Sequence, residues 1–220
     1  IIIMYSCRNL TLGFMSNFFC FESLSFIVTA LIVIVSATVL KFSYTYLQID
    51  RSRKKFIFHV LLIAVFLIAT FSANNIVVFF LGWLFSNLLL VKIMIYKKSW
   101  NQAVASGIKA LKNFTVGFFS LFTALTILYI ETGSFKIAEI LANDCIGHVN
   151  LTVISLLLVV TAFTQSAILP FHSWLTSSLN APTPSSALMH AGFVNGGGIL
   201  LAKFSPILFK VPDVLLIVFI

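Results

Sequence analysis

Residues 165–204 read QSAILPFHSWLTSSLNAPTPSSALMHAGFVNGGGILLAKF, an apolar stretch that prolines interrupt twice. An apolar helix beginning near Leu151 meets Pro170, which lacks a backbone donor and clashes with the preceding turn. We therefore predict a helix break at Pro170, an amphipathic turn through Trp174, and a stop at 180–184. In lipid, a broken helix persists only where protein or a water-filled cavity satisfies the freed backbone groups. Transporters place ion paths at such breaks.

The composition of the chain predicts a membrane protein. Its mean hydropathy is +1.09. Only 9% of its 220 residues are charged, which is far too apolar for a soluble domain. Several apolar runs reach the roughly 20 residues that cross a bilayer. We predict an all-α, polytopic transmembrane helix bundle of about six spans plus partial ends, with one discontinuous helix broken near Pro170.

The predicted spans follow the apolar runs. In chain order they are 23–47, 56–73, 76–96, 103–130, the broken span 151–178, and 185–204. Residues 1–20 are interpreted as the remnant of an earlier helix and 213–220 as the start of a truncated one. We therefore expect residues 1–220 to be a single transmembrane domain and a fragment of a longer protein.

The charges predict an orientation. Although the formal net charge is +8, the basic residues cluster at membrane edges, in loops 51–55 and 97–98. The loop at 131–150 holds three of the six acids and lies on the opposite side. Since positive loops face the cytoplasm, we expect 51–55 and 97–98 to be cytoplasmic, in a multi-pass protein of the cell inner (plasma) membrane. This placement of the basic residues predicts no nucleic-acid partner.

The sequence predicts neither a metal site nor a redox centre. The three cysteines, Cys7, Cys20 and Cys145, lack CxxC and zinc spacing and are interpreted as small apolar residues. No flavin, NAD or iron–sulfur motif is present. We therefore expect no cofactor and no catalytic residue in this chain, which does not itself oxidise NADH.

One motif carries a family resemblance. The pattern LP-x-x-x-WL followed by APTP-x-SALMHA, within 169–191, resembles the antiporter-like proton-channel subunits of complex I (chain 5, or chain L) and their Mrp relatives. Weaker matches are FLGW at 80–83, LYIETGSF at 128–135 and FESLSF at 21–26. The resemblance implies that the chain is a partial antiporter-like half, with earlier helices and a second, inverted half absent.

Within that superfamily, the chain looks most like the DabB-type membrane subunit of inorganic-carbon transporters. The segments PFHSWL and HAGFVNGGGILLAKFSPIL carry this resemblance. It implies use of the proton gradient for CO2/bicarbonate uptake, with a large soluble zinc-containing partner similar to β-carbonic anhydrases. The first alternative is a complex I chain 5 relative with other complex I subunits as partners. The second is a non-functional truncated remnant.

Two residues depart from the complex I pattern. The complex I subunits carry a glutamate straight after the GW motif, where this chain has Leu84. They carry a lysine where this chain has Gln165. In the family that charged pair tunes proton movement, so its absence favours the carbon-transport branch or a degenerate copy.

Candidate proton-path residues lie around the predicted break. His190 is an ionisable residue inside a predicted span, where such residues usually face the bundle interior and have a functional role. Its imidazole is either a proton relay or a neutral partner of a neighbouring helix. His172 could take a proton or cap freed carbonyls. Gln165 could hold water in a proton wire or bond to the kink.

The remaining candidates are lysines and glycines. Lys203 is either an interfacial anchor or a charge that links the channel to the missing half, and Lys109 has the same two readings. The glycines at 196, 197 and 198 (Gly196, Gly197, Gly198) are expected to let helices approach closely. No acid occurs within 52–130 or 148–211, so any proton path there runs on His, Lys, Asn, Gln, Ser and water.

Overall fold

The computed structural model describes residues 18–20, 23–50, 52–96, 99–143 and 146–219. Within these ranges the chain is helical. The helices are α1 Ser23–Tyr46, α2 Arg53–Ser72, α3 Ile76–Met94, α4 Asn101–Thr132, α5 Ile137–Leu141, α6 His148–Gln165, α7 Ser173–Thr176, α8 Thr183–Leu188, α9 Gly196–Lys203, α10 Ser205–Leu208 and α11 Pro212–Phe219.

The long helices are membrane spans by length and composition. Five helices among the described residues, α1, α2, α3, α4 and α6, are long and apolar enough to cross a bilayer. Helix α1 packs on α2, α2 on α3, α3 on α4, and α4 on α6. Large apolar side chains such as Phe26 and Phe119 stay exposed on the outside of this bundle, as lipid contact requires. The predicted all-α membrane bundle is confirmed.

One end of the bundle is closed by short polar connections. The Asn75 side chain accepts a 2.8 Å hydrogen bond from Val77 N–H and caps α3. Asn74 Oδ1 accepts one from Ala138 N–H at 3.1 Å, which ties α5 to this turn. Helix α4 ends at Gly133, whose φ of 66° is the left-handed conformation that glycine adopts without strain. The Asn74-Asn75 turn therefore joins two helices and also holds the loop after α4.

The opposite end carries the basic residues and a half-buried tyrosine, Tyr96. The guanidinium of Arg53 lies 4.5 Å from the centre of the Tyr44 ring. The Tyr96 ring packs edge-on against Phe56, with centroids 5.5 Å apart. Burial, together with the nearby Asp50 carboxylate, raises the pKa of Tyr96 to about 12. Tyr96 is therefore neutral throughout the physiological pH range.

Both predicted interruptions are present; the first, around Pro170, is longer than the sequence indicated, and the second is confined to residues 181–182. Helix α6 ends at Gln165, before Pro170, and Ala167 adopts a φ of 53° in the break. The expected span 185–204 is divided into α8, a π-helical turn at Met189–Phe193, and α9. Its continuity was predicted wrongly. Val194 N–H reaches back five residues to Met189 O at 3.0 Å, which inserts an extra residue before a glycine run that is poor at forming helix.

Several expectations fall outside the described residues. These are 1–17 of the predicted N-terminal remnant, Arg51 of the first basic loop, and residues 97–98 of the second. Of the remnant, Cys20 N–H donates to Ser72 O at 2.8 Å and Phe19 forms an isolated bridge to Ala73. Cys20 is disulfide-bonded, so its interpretation as an isolated apolar residue was wrong.

We expect Gly82→Ala to destabilise the bundle. A Cβ at Gly82 would collide with the Thr70 hydroxyl and lie 3.1 Å from Phe66 O and 3.2 Å from Thr70 N, which are backbone atoms. Overpacking of this kind costs about 1–3 kcal/mol. Thermal unfolding in detergent should show a lower midpoint.

The matched control is Gly198→Ala, since a Cβ there meets nothing within 4 Å. It should leave the midpoint unchanged or raise it slightly, because alanine favours helix. Equal midpoints for the two variants would contradict the close approach of α2 and α3.

Candidate functional site

The two interrupted helical segments meet where each loses its regular structure. The Gln165 side chain donates from Nε2 to Phe193 O at 3.3 Å. The Ser166 hydroxyl donates to Val194 O at 2.7 Å. These four residues, Gln165, Ser166, Phe193 and Val194, form what we call the helix-break junction. It ties the end of α6 to the end of the π-helical turn.

Glycine allows the junction to form. A Cβ at Gly197 would collide with Ser166 Oγ and with the carbonyl of Ala162. A Cβ at Gly196 would meet the Gln165 side chain at 3.5 Å, an ordinary contact. Gly198 is exposed and faces open space. The close approach of α6 and α9 therefore depends most on Gly197, since its obstacles include backbone that cannot move aside.

The segment after the break is anchored beneath α4. Trp174 is fully buried, and its indole N–H donates to Thr164 O at 3.0 Å. Its ring lies against Phe114 of α4, with centroids 4.9 Å apart. The Asn113 amide donates to Phe171 O at 3.4 Å. Carbonyls on both sides of the break are thus satisfied by side chains, as irregular backbone at membrane depth demands.

Lys203, the last residue of α9, holds the end of another helix. Its Nζ donates to Phe71 O at 3.0 Å and to Ala73 O at 2.7 Å, the terminal carbonyls of α2. The same ammonium lies 5.6 Å from the centre of the Phe79 ring. A helix C-terminus carries partial negative charge, so a lysine is stabilising there. Lys203 is therefore a half-buried cation that stabilises the end of α2.

The predicted site residues divide into a joined set and an exposed set. Gln165 is 4% exposed and contacts the segment that bears His190. Lys203 is linked to the same region by Phe71. It binds the Phe71 carbonyl, and the Phe71 ring lies 3.8 Å from the Gly196 Cβ position. His190, on the π-helical turn, is exposed on the surface of the described chain.

The other predicted residues lie on the surface. Pro170 is exposed within the irregular segment, and His172 immediately precedes α7, where its backbone carbonyl accepts from Leu175 N–H at 3.1 Å. Its imidazole is exposed. Lys109 is exposed on α4. Nothing in this arrangement joins these side chains to the helix-break junction.

Sequence reasoning did not single out the hydroxyls between α4 and α6. The Ser120 hydroxyl donates to Leu157 O at 2.7 Å, and Thr161 Oγ1 is 2.9 Å from the same carbonyl. Thr164 presses against Gly117 of α4, where a Cβ would collide with its hydroxyl. The sequence signal was a glycine on one predicted span and regularly spaced Ser and Thr residues on another. Only the packing of the two helices shows that these residues meet.

Asn87 was also missed. It is buried in the middle of α3, where its amide donates to Trp83 O at 2.9 Å. Its Oδ1 has no hydrogen-bond partner within the described parts of the chain. An unpaired buried acceptor is costly, so a lone asparagine in an otherwise apolar span was the available signal.

A family model covers most of this architecture. Residues 73–220 match the NADH:quinone oxidoreductase/Mrp antiporter transmembrane family. The match begins at the turn before α3 and includes the broken helix, the π-helical turn and α9. The chain therefore belongs to this family.

Curated relatives fall into different branches of it. The chain is 31% identical over 189 residues to a Bacillus subtilis (strain 168) protein described as a probable inorganic carbon transporter subunit DabB, a match covering 84% of this chain and 37% of that protein. It is also 31% identical over 214 residues to NADH-ubiquinone oxidoreductase chain 5 of Chondrus crispus, covering 90% and 32%. The chain thus spans about a third of the length of these relatives.

The solved Mrp complex from Dietzia sp. DQ12-45-1b has a similar fold. Superposition gives a TM-score of 0.78 at 27% identity, over 86% of this chain and 21% of that one. The packing of the spans described above is therefore the arrangement of an antiporter-type membrane subunit.

Replacing Lys203 by methionine should destabilise the end of α2. Methionine keeps the length of the side chain but cannot donate to Phe71 O or Ala73 O, and hydrogen bonds from a charged donor contribute about 1.5–3 kcal/mol. We expect a lower unfolding midpoint in detergent. The matched control, Lys112→Met, changes an exposed lysine on α4 and should have little effect. Indistinguishable midpoints would show that Lys203 does not hold α2.

Proposed function

We propose that this chain is part of a proton-translocating, antiporter-like membrane subunit of a larger complex. We propose further that this complex powers CO2/bicarbonate uptake. The observation that carries the proposal is the helix-break junction. It joins two interrupted helical segments, and one of them bears His190 on its π-helical turn. Discontinuous helices of this kind line ion paths because their backbone groups need polar partners.

Three side chains take different parts in the proposed path. The His190 imidazole binds and releases the proton, since histidine is the residue type that changes charge near neutral pH. Gln165 cannot carry a proton, so it positions the π-helical turn and orders water beside it. Lys203 supplies a fixed positive charge at the other side of Phe71. His190 is exposed in the described chain, so in the assembled protein its proton passes to water or to a neighbouring segment.

The carbon-uptake branch is favoured by two neutral positions. Leu84 and Gln165 replace the charged pair of the complex I subunits, and the Bacillus subtilis relative bears the name of an inorganic carbon transporter subunit. We propose that the partner is a large soluble zinc-containing subunit similar to carbonic anhydrases. The pumping reaction of complex I would then not be the one that this chain performs.

The second candidate is a chain 5 subunit of complex I. It is favoured by the similarity to the Chondrus crispus protein, which spans 90% of this chain. Affinity purification of the full natural polypeptide in mild detergent separates the two. A co-purifying soluble zinc protein supports carbon uptake, whereas a set of dehydrogenase subunits supports complex I.

We further propose a place in the cell inner (plasma) membrane, with loops 51–55 and 97–98 in the cytoplasm. The basic residues Arg53, Lys54 and Lys55 begin α2, which supports this orientation. Cys20 is disulfide-bonded, and its backbone N–H donates to the carbonyl of Ser72, at the other end of the same helix. Since disulfides persist in oxidising compartments, Cys20 supports placing that end away from the cytoplasm.

We expect His190→Ala to reduce proton-driven uptake by about tenfold or more, in keeping with the loss of a positioned proton-transfer group. The measurement is uptake of labelled inorganic carbon by cells that express the full natural polypeptide with its partners, with and without a protonophore. The matched control is His148→Ala, an exposed histidine at the start of α6, which should retain uptake.

Two results would overturn the proposal. Undiminished, protonophore-sensitive uptake in His190→Ala would remove His190 from the path. Uptake insensitive to the protonophore in the unaltered protein would remove proton coupling itself.

A further inference from the structure

An apolar groove runs between the first half of α3 and the last half of α4. Its cavity volume is about 220 Å³, and its lining includes Val77, Phe80, Phe122, Leu125 and Tyr129. Several of these side chains are exposed, so the groove opens on the outside of the two spans. Apolar cavities of about 150 Å³ hold a molecule the size of benzene and stay dry. This groove therefore has room for a short run of a hydrocarbon chain.

The mouth of the groove is built by the segment after α4. Phe135 closes one wall by stacking on Tyr129, with centroids 4.3 Å apart. Its carbonyl accepts from Ile76 N–H at 2.9 Å, which fixes it to the start of α3. Lys136, the next residue, forms an isolated bridge to Asn75. The mouth of the groove is thus held to the start of α3, and Lys136 places a cation next to the groove-lining residue Phe135.

Lys136 is paired with a carboxylate at this mouth. Its Nζ lies 2.9 Å from Glu139 Oε1, and the two side chains are 41% and 55% exposed. Hydrogen bonds from Ser134 and from Lys136 lower the pKa of the Glu139 carboxyl, so it is ionised at neutral pH. Both charges remain accessible, side by side, to a ligand that carries one phosphate and one ammonium group.

The surrounding charge disfavours an anionic ligand. Glu131, two residues beyond the groove-lining Tyr129, is exposed and accepts a 2.8 Å hydrogen bond from the Asn150 amide. The segment 131–139 therefore carries two carboxylates, Glu131 and Glu139, and one lysine, Lys136. A ligand with a net negative charge would be repelled by these carboxylates, whereas a zwitterionic ligand would not.

We propose that the groove between α3 and α4 binds one acyl chain of a zwitterionic phospholipid of the ethanolamine type, whose phosphate contacts Lys136 and whose ammonium contacts Glu139. The proposal needs only that α3 and α4 span the membrane. It is independent of proton translocation.

The test uses the full natural polypeptide, delipidated in detergent and mixed with equal amounts of phosphatidylethanolamine and phosphatidylglycerol of identical acyl chains. Native mass spectrometry counts the retained lipids. The unaltered protein should retain one phosphatidylethanolamine preferentially. Val77→Trp fills the groove and should reduce that retention by about tenfold, since several buried methylene groups are displaced.

Matched controls separate a site from general lipid contact. Val116→Trp alters a valine of α4 that is 44% exposed, against 47% for Val77, but lies outside the groove. It should retain the lipid. Equal retention by the two tryptophan variants would mean annular lipid only and would overturn the proposal.

The headgroup is tested by reversing one charge. Glu139→Lys makes the mouth cationic and should shift the preference toward phosphatidylglycerol by about tenfold. Asp213→Lys, an exposed acid in the first turn of α11, should not shift it. A phosphatidylglycerol preference in the unaltered protein, or no shift in Glu139→Lys, would overturn the assignment of the headgroup.

Discussion

The bundle depends on hydrogen bonds that side chains make to backbone carbonyls where helices are interrupted. Water does not reach the hydrocarbon region, so an unsatisfied backbone group there costs several kcal/mol. The end of α6 and the π-helical turn satisfy this requirement together. Gln165 and Ser166 donate across the junction to Phe193 and Val194. Each interruption therefore requires the other, since the donors of one are matched to the carbonyls of the other.

The same constraint couples distant parts of the chain through Phe71. Its carbonyl accepts from Lys203 of α9 and from the Ser25 hydroxyl of α1 at 2.8 Å. Its ring lies beside Gly196 at the start of α9. One residue at the end of α2 thus contacts both ends of α9 and one face of α1. A displacement at the π-helical turn cannot occur without changing the environment of the Lys203 charge.

The sequence predicted what depends on local chemistry. Pro170 and the apolar runs indicated the spans and the break, because bilayer thickness and missing donors act within a single segment. It did not predict the π-helical turn or the role of Ser166, since these depend on which carbonyl faces which donor across two helices. Lys203 shows the same limit: its length and position fitted an interfacial anchor, and only the packing of α9 on α2 revealed its carbonyl partners. The exposure of His190 likewise follows from that packing and has no signal in the local sequence.

The absence of the family's charged pair is consistent with this packing. Removing one member of a buried ion pair leaves an uncompensated charge and costs about 3–5 kcal/mol, whereas replacing both by neutral groups can be nearly neutral. The resemblance to the complex I subunits implies such a double replacement at Leu84 and Gln165, and the Gln165 amide donates to Phe193 O. Lys203 donates to the terminal carbonyls of α2, whose partial negative charge stabilises its ammonium group. Under the proposed function, the positive charge that His190 gains with a proton is dispersed by water or by another segment, since its side chain is exposed on the described chain. Whether the proposed proton path conducts therefore depends on what covers His190 in the assembled protein.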